Sequence, residues 1–251
     1  MEFKGHLTLE MTVEGRAGHS AIPPAHTTIG LLSRAIHRLE AAPLPARMGN
    51  IIDMFKSFGP YLPFFTRLAL ANHWLFGKMI EARLSRVPQT NAAIRTTTAV
   101  TMISGGIKDN ILPAQAQAAA NFRLMPGDRI ADVVAHVRKV IQDDAVQLNI
   151  PEVGRWEASP ISSIEGDAYK RMARVVEQVF PEALPAPYLM LGASDARYYH
   201  SVCDQVFRFS PYSLDQEQLQ TIHAANERIA VTEMARMVQF YGQIMRTWGV
   251  K

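Results

Sequence analysis

One cysteine in 251 residues leaves Cys203 unable to form an intrachain disulfide, and it rules out a cysteine-based zinc knuckle. Alone, Cys203 reads as a small buried hydrophobe. No apolar run is long enough to span a bilayer, so no membrane contact is expected of this segment. The visible start carries no leader peptide, which leans toward a cytoplasmic location, although the compartment stays open. Nor does any Lys/Arg run reach five residues, and the formal net charge is only +3. The aromatics do not interleave with basic residues, so nucleic acid is excluded as an expected partner. What the chain does have is apolar content: 48% of its residues are hydrophobic, enough for a sizeable core in one or two domains.

The first part of the chain is patterned for sheet and helix in alternation. Leu7, Leu9, Met11 and Val13 alternate with polar residues, which predicts a half-buried strand. Ile94, Thr96, Thr98, Val100 and Met102 predict a second, ending at Gly105-Gly106; Ala116, Ala118, Ala120, Phe122 and Leu124 predict a third, ending at Pro126-Gly127. Between them, Ile29, Leu32, Ile36 and Leu39 line one helix after a Thr27-Thr28 cap. Ile130, Val133, Val134, Val137, Val140 and Ile141 line another after an Asp128 cap. A short strand near residues 153–156 completes the order β-α-β-β-α-β, that of a ferredoxin-like split βαβ unit. An insertion at about residues 46–88 interrupts it, read as two short helices around Pro60 and Pro63. It carries Phe55, Phe58, Tyr61, Phe64, Phe65, Trp74 and Phe76. That aromatic stripe suits either local core or, if exposed, an interface or acyl-chain wall.

From Glu157 the pattern changes. Tyr169, Met172, Val175, Val176 and Val179 form a helix face. The all-apolar runs at residues 187–191 and 206–209 read as strands buried on both faces, with a short helix carrying Ala196 to His200 between them. A last helix presents Met234, Met237, Val238, Tyr241, Ile244, Met245 and Trp248 on one side. Two such strands need neighbours to cover their edges and faces, so this region reads as half of a sheet. In open α/β sheets ligands sit beyond the carboxyl ends of the strands, where Arg197 and His223 are expected. There an arginine can clamp a carboxylate through two parallel hydrogen bonds, and a histidine can bind a metal. Taken singly, each has a blander use, Arg197 pairing with Asp195 and His223 facing solvent. His6, His26, His37, His73, His136 and His200 show no ligand spacing.

Five motifs in order resemble those of the carboxypeptidase S-like branch of the zinc aminoacylase and carboxypeptidase superfamily. They are Gly15-Arg16-Ala17-Gly18-His19-Ser20-Ala21-Ile22-Pro23, Gly106-Ile107-Lys108-Asp109-Asn110-Ile111-Leu112-Pro113 and Asn121-Phe122-Arg123-Leu124-Met125-Pro126-Gly127-Asp128. Gly192-Ala193-Ser194-Asp195-Ala196-Arg197 and His223-Ala224-Ala225-Asn226-Glu227 follow. The resemblance covers nearly all of the chain but only about the second half of a family member. It implies an α/β chain with a ferredoxin-like βαββαβ lid or dimerisation domain over residues 1–156. The C-terminal part of a zinc-exopeptidase-like α/β/α catalytic domain then occupies residues 157–251.

By that resemblance, His19 is the lid histidine that stabilises a tetrahedral oxyanion, and Asn110 is the lid asparagine that holds the substrate. Arg197 pairs with the substrate's free carboxylate, and His223 is the last zinc ligand. The family's two zinc ions are otherwise held by His-x-Asp, Asp and Glu-Glu elements that this sequence lacks, so zinc retention and stand-alone hydrolysis are not expected. The implied activity is that of part of a zinc-dependent amidohydrolase or metallocarboxypeptidase. Its substrate would be an N-acyl amino acid or small peptide with a free carboxylate, and homodimers would form through the lid. A non-catalytic dimerisation or small-carboxylate-binding module is the alternative.

Overall fold

The computed structural model describes residues 2–192 and 194–249; Ala193 of the glycine-rich motif lies outside the described residues. In chain order the elements are β1 (Glu2–Phe3), β2 (Gly5–Glu14), β3 (Gly18–His19), α1 (Thr28–Ala41), α2 (Gly49–Phe58), α3 (Phe64–Ala71), α4 (His73–Leu84), α5 (Pro88–Ile94) and β4 (Thr97–Gly105). There follow β5 (Ile111–Leu112), β6 (Gln115–Leu124), α6 (Ile130–Ile141), β7 (Val146–Asn149), α7 (Asp167–Val179), β8 (Leu189–Met190), α8 (Gln216–Gln220) and α9 (Val231–Gly249).

Alternation in the sequence builds the main sheet. Its order is β4-β6-β2-β7 with every neighbouring pair antiparallel, which is the expected ferredoxin-like topology. Leu7, Leu9, Met11 and Val13 stand opposite Phe122, Ala120, Ala118 and Ala116, and all eight are buried. Small alanines across from large side chains leave room for the helices, which lay Leu32, Ala35 and Leu39 of α1 and Val133, Val137 and Ile141 of α6 on that face. Thr27 caps α1 by accepting from the Gly30 N–H at 3.1 Å. Ile29, expected on the packed face, is exposed instead, and Thr28 takes the buried place.

Several boundaries differ from the sequence reading, each for a local reason. Ile94 closes α5, whose first residue is Pro88, so β4 starts only at Thr97. The register slips between Val100 and Met102, a bulge that swings Met102 onto the open face of the sheet, where it is exposed. The fourth strand lies at Val146–Asn149, not near 153–156; Trp156 keeps only an isolated bridge to His6. Pro151 offers no donor and Gly154 is left-handed at φ +81°, so the chain leaves the sheet between them. The α6 cap is Arg129 rather than Asp128, its N–H donating to Asp132 at 3.0 Å, while Glu157 accepts from the Ile130 N–H.

Asp128 is used elsewhere. It pairs with Arg47 at 2.7 Å and accepts from Thr96, whose hydroxyl accepts from the Met125 N–H at 2.7 Å. Beside it, buried Lys4 donates to the Arg95 carbonyl at 2.7 Å, and Arg95 reaches Leu44 O, Glu81 and Ser85. These polar contacts fasten the inserted helices to the end of the sheet. Burial lowers the Lys4 ammonium to about 8, with Asp128 opposing the shift and Arg123 adding to it.

The insertion holds more helix than expected: α2, α3 and α4 occupy it, with a 3-10 turn at Gly59–Tyr61 between α2 and α3 and Asn72 alone between α3 and α4. Its aromatic stripe is largely not core. Tyr61, Phe64, Phe65 and Trp74 are exposed, and so are Leu68, Leu75 and Met79; Phe55, Phe58 and Phe76 are partly covered.

The C-terminal region packs α7 on α9 through Val175, Val176, Val179, Phe180 and Phe240, with Phe209 and Ile244 against them. On α9 it is Phe240 that turns inward, while Met234, Val238, Tyr241, Met245 and Trp248 are exposed. The run at 187–191 shrinks to the two residues of β8, paired in parallel with β1, and residues 206–209 form no strand. Val206 is instead held by the Ser162 hydroxyl, which accepts from its N–H and donates to its carbonyl, both at 3.0 Å. A buried parallel strand needs a partner on each edge, and β1 is the sole partner of β8 among the described residues. Cys203 is exposed rather than buried.

Candidate functional site

The loops that leave the sheet at one end bring His19 and Asn110 together. β3 and β5 pair antiparallel with His19 opposite Ile111, and the Ser20 N–H donates to the Asn110 carbonyl at 3.2 Å. The Gly15 N–H closes the same ladder on Ala114 O at 2.8 Å. Both side chains are exposed. His19 Nδ1 accepts from the Ala21 N–H at 3.0 Å, so the neutral ring carries its proton on Nε2, as a donor. Such a donor, aimed at developing negative charge, is the chemistry an oxyanion requires.

Arg197 lies in a 3-10 turn, Asp195–Ser201. Its guanidinium sits over the Trp156 ring at 4.5 Å and donates to the Tyr198 hydroxyl at 2.6 Å. It faces a cleft of about 490 Å³ lined by Trp156, Ser159, Tyr198 and His200 among others. Asp195 does not pair with it; among the described residues Arg197 makes no ion pair. Burial holds His200 below the usual imidazole range, Arg208 pushes the same way, and Asp204 opposes them. Among the described residues neither ring nitrogen of His200 has a hydrogen-bond partner.

His223 stands apart. It occupies an exposed turn in the left-handed region, φ +62°, with its N–H donating to Glu227 at 3.1 Å. Among the described residues no hydrogen bond or ion pair joins His223, Arg197 and the His19–Asn110 pair to one another. No group of three or more His, Cys, Asp or Glu capable of holding a metal exists among the described residues. A catalytic zinc takes three protein ligands, so these residues do not fit that ion by themselves. No helix among the described residues is long and apolar enough to cross a membrane.

Sequence reasoning missed Trp156 and His6. Their rings stack at 4.6 Å, and His6 had shown no ligand spacing to single it out. A lone tryptophan before a polarity change is a weak signal, and only the fold sets it against Arg197.

Comparison with known proteins follows the same lines. Residues 1–149 match the family described as the peptidase dimerisation domain. The N-fatty-acyl-amino acid synthase/hydrolase of Xenopus tropicalis is 36% identical over 246 residues, 97% of this chain and 48% of that one. A Dictyostelium discoideum protein named "Probable carboxypeptidase S-like 2" is 32% identical, over 97% of this chain and 47% of its own. Among solved structures, the M20 family metallo-carboxypeptidase of Sulfolobus solfataricus superposes with a TM-score of 0.60 at 17% identity. That match takes in 98% of this chain and 59% of the other, a likeness of fold. The chain spans about half the length of the curated relatives it matches.

Proposed function

Because the chain belongs to the M20 metallopeptidases through their dimerisation domain, we propose that it supplies the lid and the carboxylate-recognition side of an enzyme making or breaking the amide bond of N-acyl amino acids. The single observation that carries this is the pairing of β3 with β5, which sets His19, proton on Nε2, beside Asn110. In the proposed site, His19 donates to the oxygen that becomes negative as the amide carbon turns tetrahedral, and Asn110 holds the acyl side. Arg197 takes the free carboxylate of the amino acid through its planar fork. Residues 1–156 are the lid and 157–251 the catalytic portion. His223 is the one residue proposed as a zinc ligand; since the described residues build no metal set, no step is routed through the ion.

The test joins this chain to the first half of the Xenopus relative and assays N-acyl-phenylalanine hydrolysis with added zinc. Hydrolysis by the joined protein, absent from this chain alone, is the expected result, together with a preference for substrates bearing a free carboxylate. Hydrolysis indifferent to that carboxylate rejects the role of Arg197.

A second reading, a dimerisation module, is favoured by the matched domain's description and by β4, a sheet edge with no strand beyond it among the described residues. Sedimentation at micromolar protein gives a discrete dimer if it holds and a monomer if it does not.

A further inference from the structure

The indole of Trp156 touches two side chains from opposite ends of the chain. It stacks on His6 with ring centroids 4.6 Å apart and planes 27° from parallel, and the Arg197 guanidinium lies 4.5 Å from an indole centroid. The His6 end is fixed at every polar atom. Its backbone exchanges hydrogen bonds with Trp156, at 2.8 and 3.0 Å. Its Nδ1 faces the Gly154 carbonyl at 2.5 Å and therefore carries the proton. Its Nε2 accordingly accepts from the Asn121 amide at 2.6 Å, and that amide also reaches the Thr8 hydroxyl. Strand β2 thus anchors the imidazole, the imidazole supports the indole, and the indole supports the guanidinium.

We propose that Trp156, backed by His6, is a positioning residue that holds the Arg197 guanidinium ready for a substrate carboxylate. This rests on the reading of Arg197 given above. A guanidinium stacked on an aromatic face keeps its N–H edges free for two parallel bonds to a carboxylate. Stacking also restrains a side chain rich in rotamers, so less freedom is lost when the ligand arrives. No carboxylate of the described residues competes for Arg197; among them its guanidinium donates to the Tyr198 hydroxyl, and only its main-chain N–H bonds the Ser194 carbonyl.

The experiment titrates the intact chain with N-acetyl-L-phenylalanine and, separately, with its primary amide, by calorimetry. Wild type is expected to prefer the acid, and R197A to lose that preference. W156A is expected to bind the acid about 10-fold more weakly with the amide unchanged, and W156F to recover most of the loss. W156A matching wild type while R197A fails overturns the positioning role and spares the reading of Arg197. Equal losses for acid and amide in W156A also overturn it, since they mark a structural role. No preference in wild type, or none lost in R197A, rejects Arg197 itself. If W156A does not melt cooperatively, H6A decides: acid binding roughly 3-fold weaker supports the proposal, and unchanged binding overturns it.

Discussion

Strands β2 and β6 run ten residues each, side by side, whereas among its described residues the C-terminal region keeps one strand, two residues long. Both regions are rich in Leu, Val, Phe and Met. They differ in how those residues are spaced. In β2 and β6 every second residue is apolar, so one face buries against α1 and α6 and the other tolerates water. The runs at 187–191 and 206–209 are apolar throughout, a pattern that needs cover on both faces and both edges. Without those neighbours among the described residues, the same hydrophobicity yields short pairings and an α9 whose outer face is apolar and exposed. Hydrophobic content measures how much must be buried; spacing decides whether a region can do it alone.

That contrast can be broken most directly by truncating one apolar side chain in each region. Leu9→Ala, at a fully buried site, is expected to cost about 4 kcal/mol in urea unfolding. Met245→Ala, on the exposed face of α9, is expected to stay within about 0.5 kcal/mol. Comparable costs would mean that the α9 face is covered in solution.

Alkaline titration sharpens the contrast at the edge of the sheet. Lys4 has a folded pKa of about 8 against the ordinary 10.5. Below pH 8 both states are charged and the burial penalty acts in full; between the two values the folded state sheds its proton first. Stability is therefore expected to rise across that window, by at most about 3 kcal/mol, and Lys4→Met should flatten the rise. A flat wild-type profile between pH 8 and 10.5 contradicts this account.

Smaller effects come next. A Cβ on Gly5 would lie 2.6 Å from the Ala158 nitrogen, so Gly5→Ala is expected to cost about 2 kcal/mol in thermal melts. Unchanged melting would mean that residues 156–158 do not press on β2. Last, the hydrogen bond from Arg34 holds the Asp143 carboxyl below its ordinary range. Its contribution is present above about pH 4 and disappears as acid protonates it. Asp143→Asn should lose about 0.5 kcal/mol at pH 7 and nothing near pH 2. An equal loss at both values assigns the effect to packing.

Legibility followed the same division. The buried faces of β2, β6, α1 and α6 were readable because alternation and the 3.6-residue period are local properties. The bulge before Met102 was not, because nothing in Val100-Thr101-Met102 departs from a regular strand; the slip is set by pairing with β6. On α9, Phe240 lies off the stripe that periodicity selects, and packing against Phe180 and Phe209 turned it inward. Of the candidate site, His19 and Asn110 were legible as motif residues; the structure puts His19 in β3 and Asn110 just before β5. The stack of His6, Trp156 and Arg197 was not, since three residues so far apart in sequence meet only once the sheet and the region after it are in place.

The place where residue 5 passes beneath residues 156–158 carries a consequence for ancestry. The path into the four-stranded unit and the path out of it run through one doorway, closed by the His6–Trp156 bridge. A unit whose two ends adjoin can be spliced into a host loop, or lifted out of it, without pulling the host apart. Seen from the host, a segment between those ends such as the helical insertion can grow or shrink as long as the doorway keeps its shape.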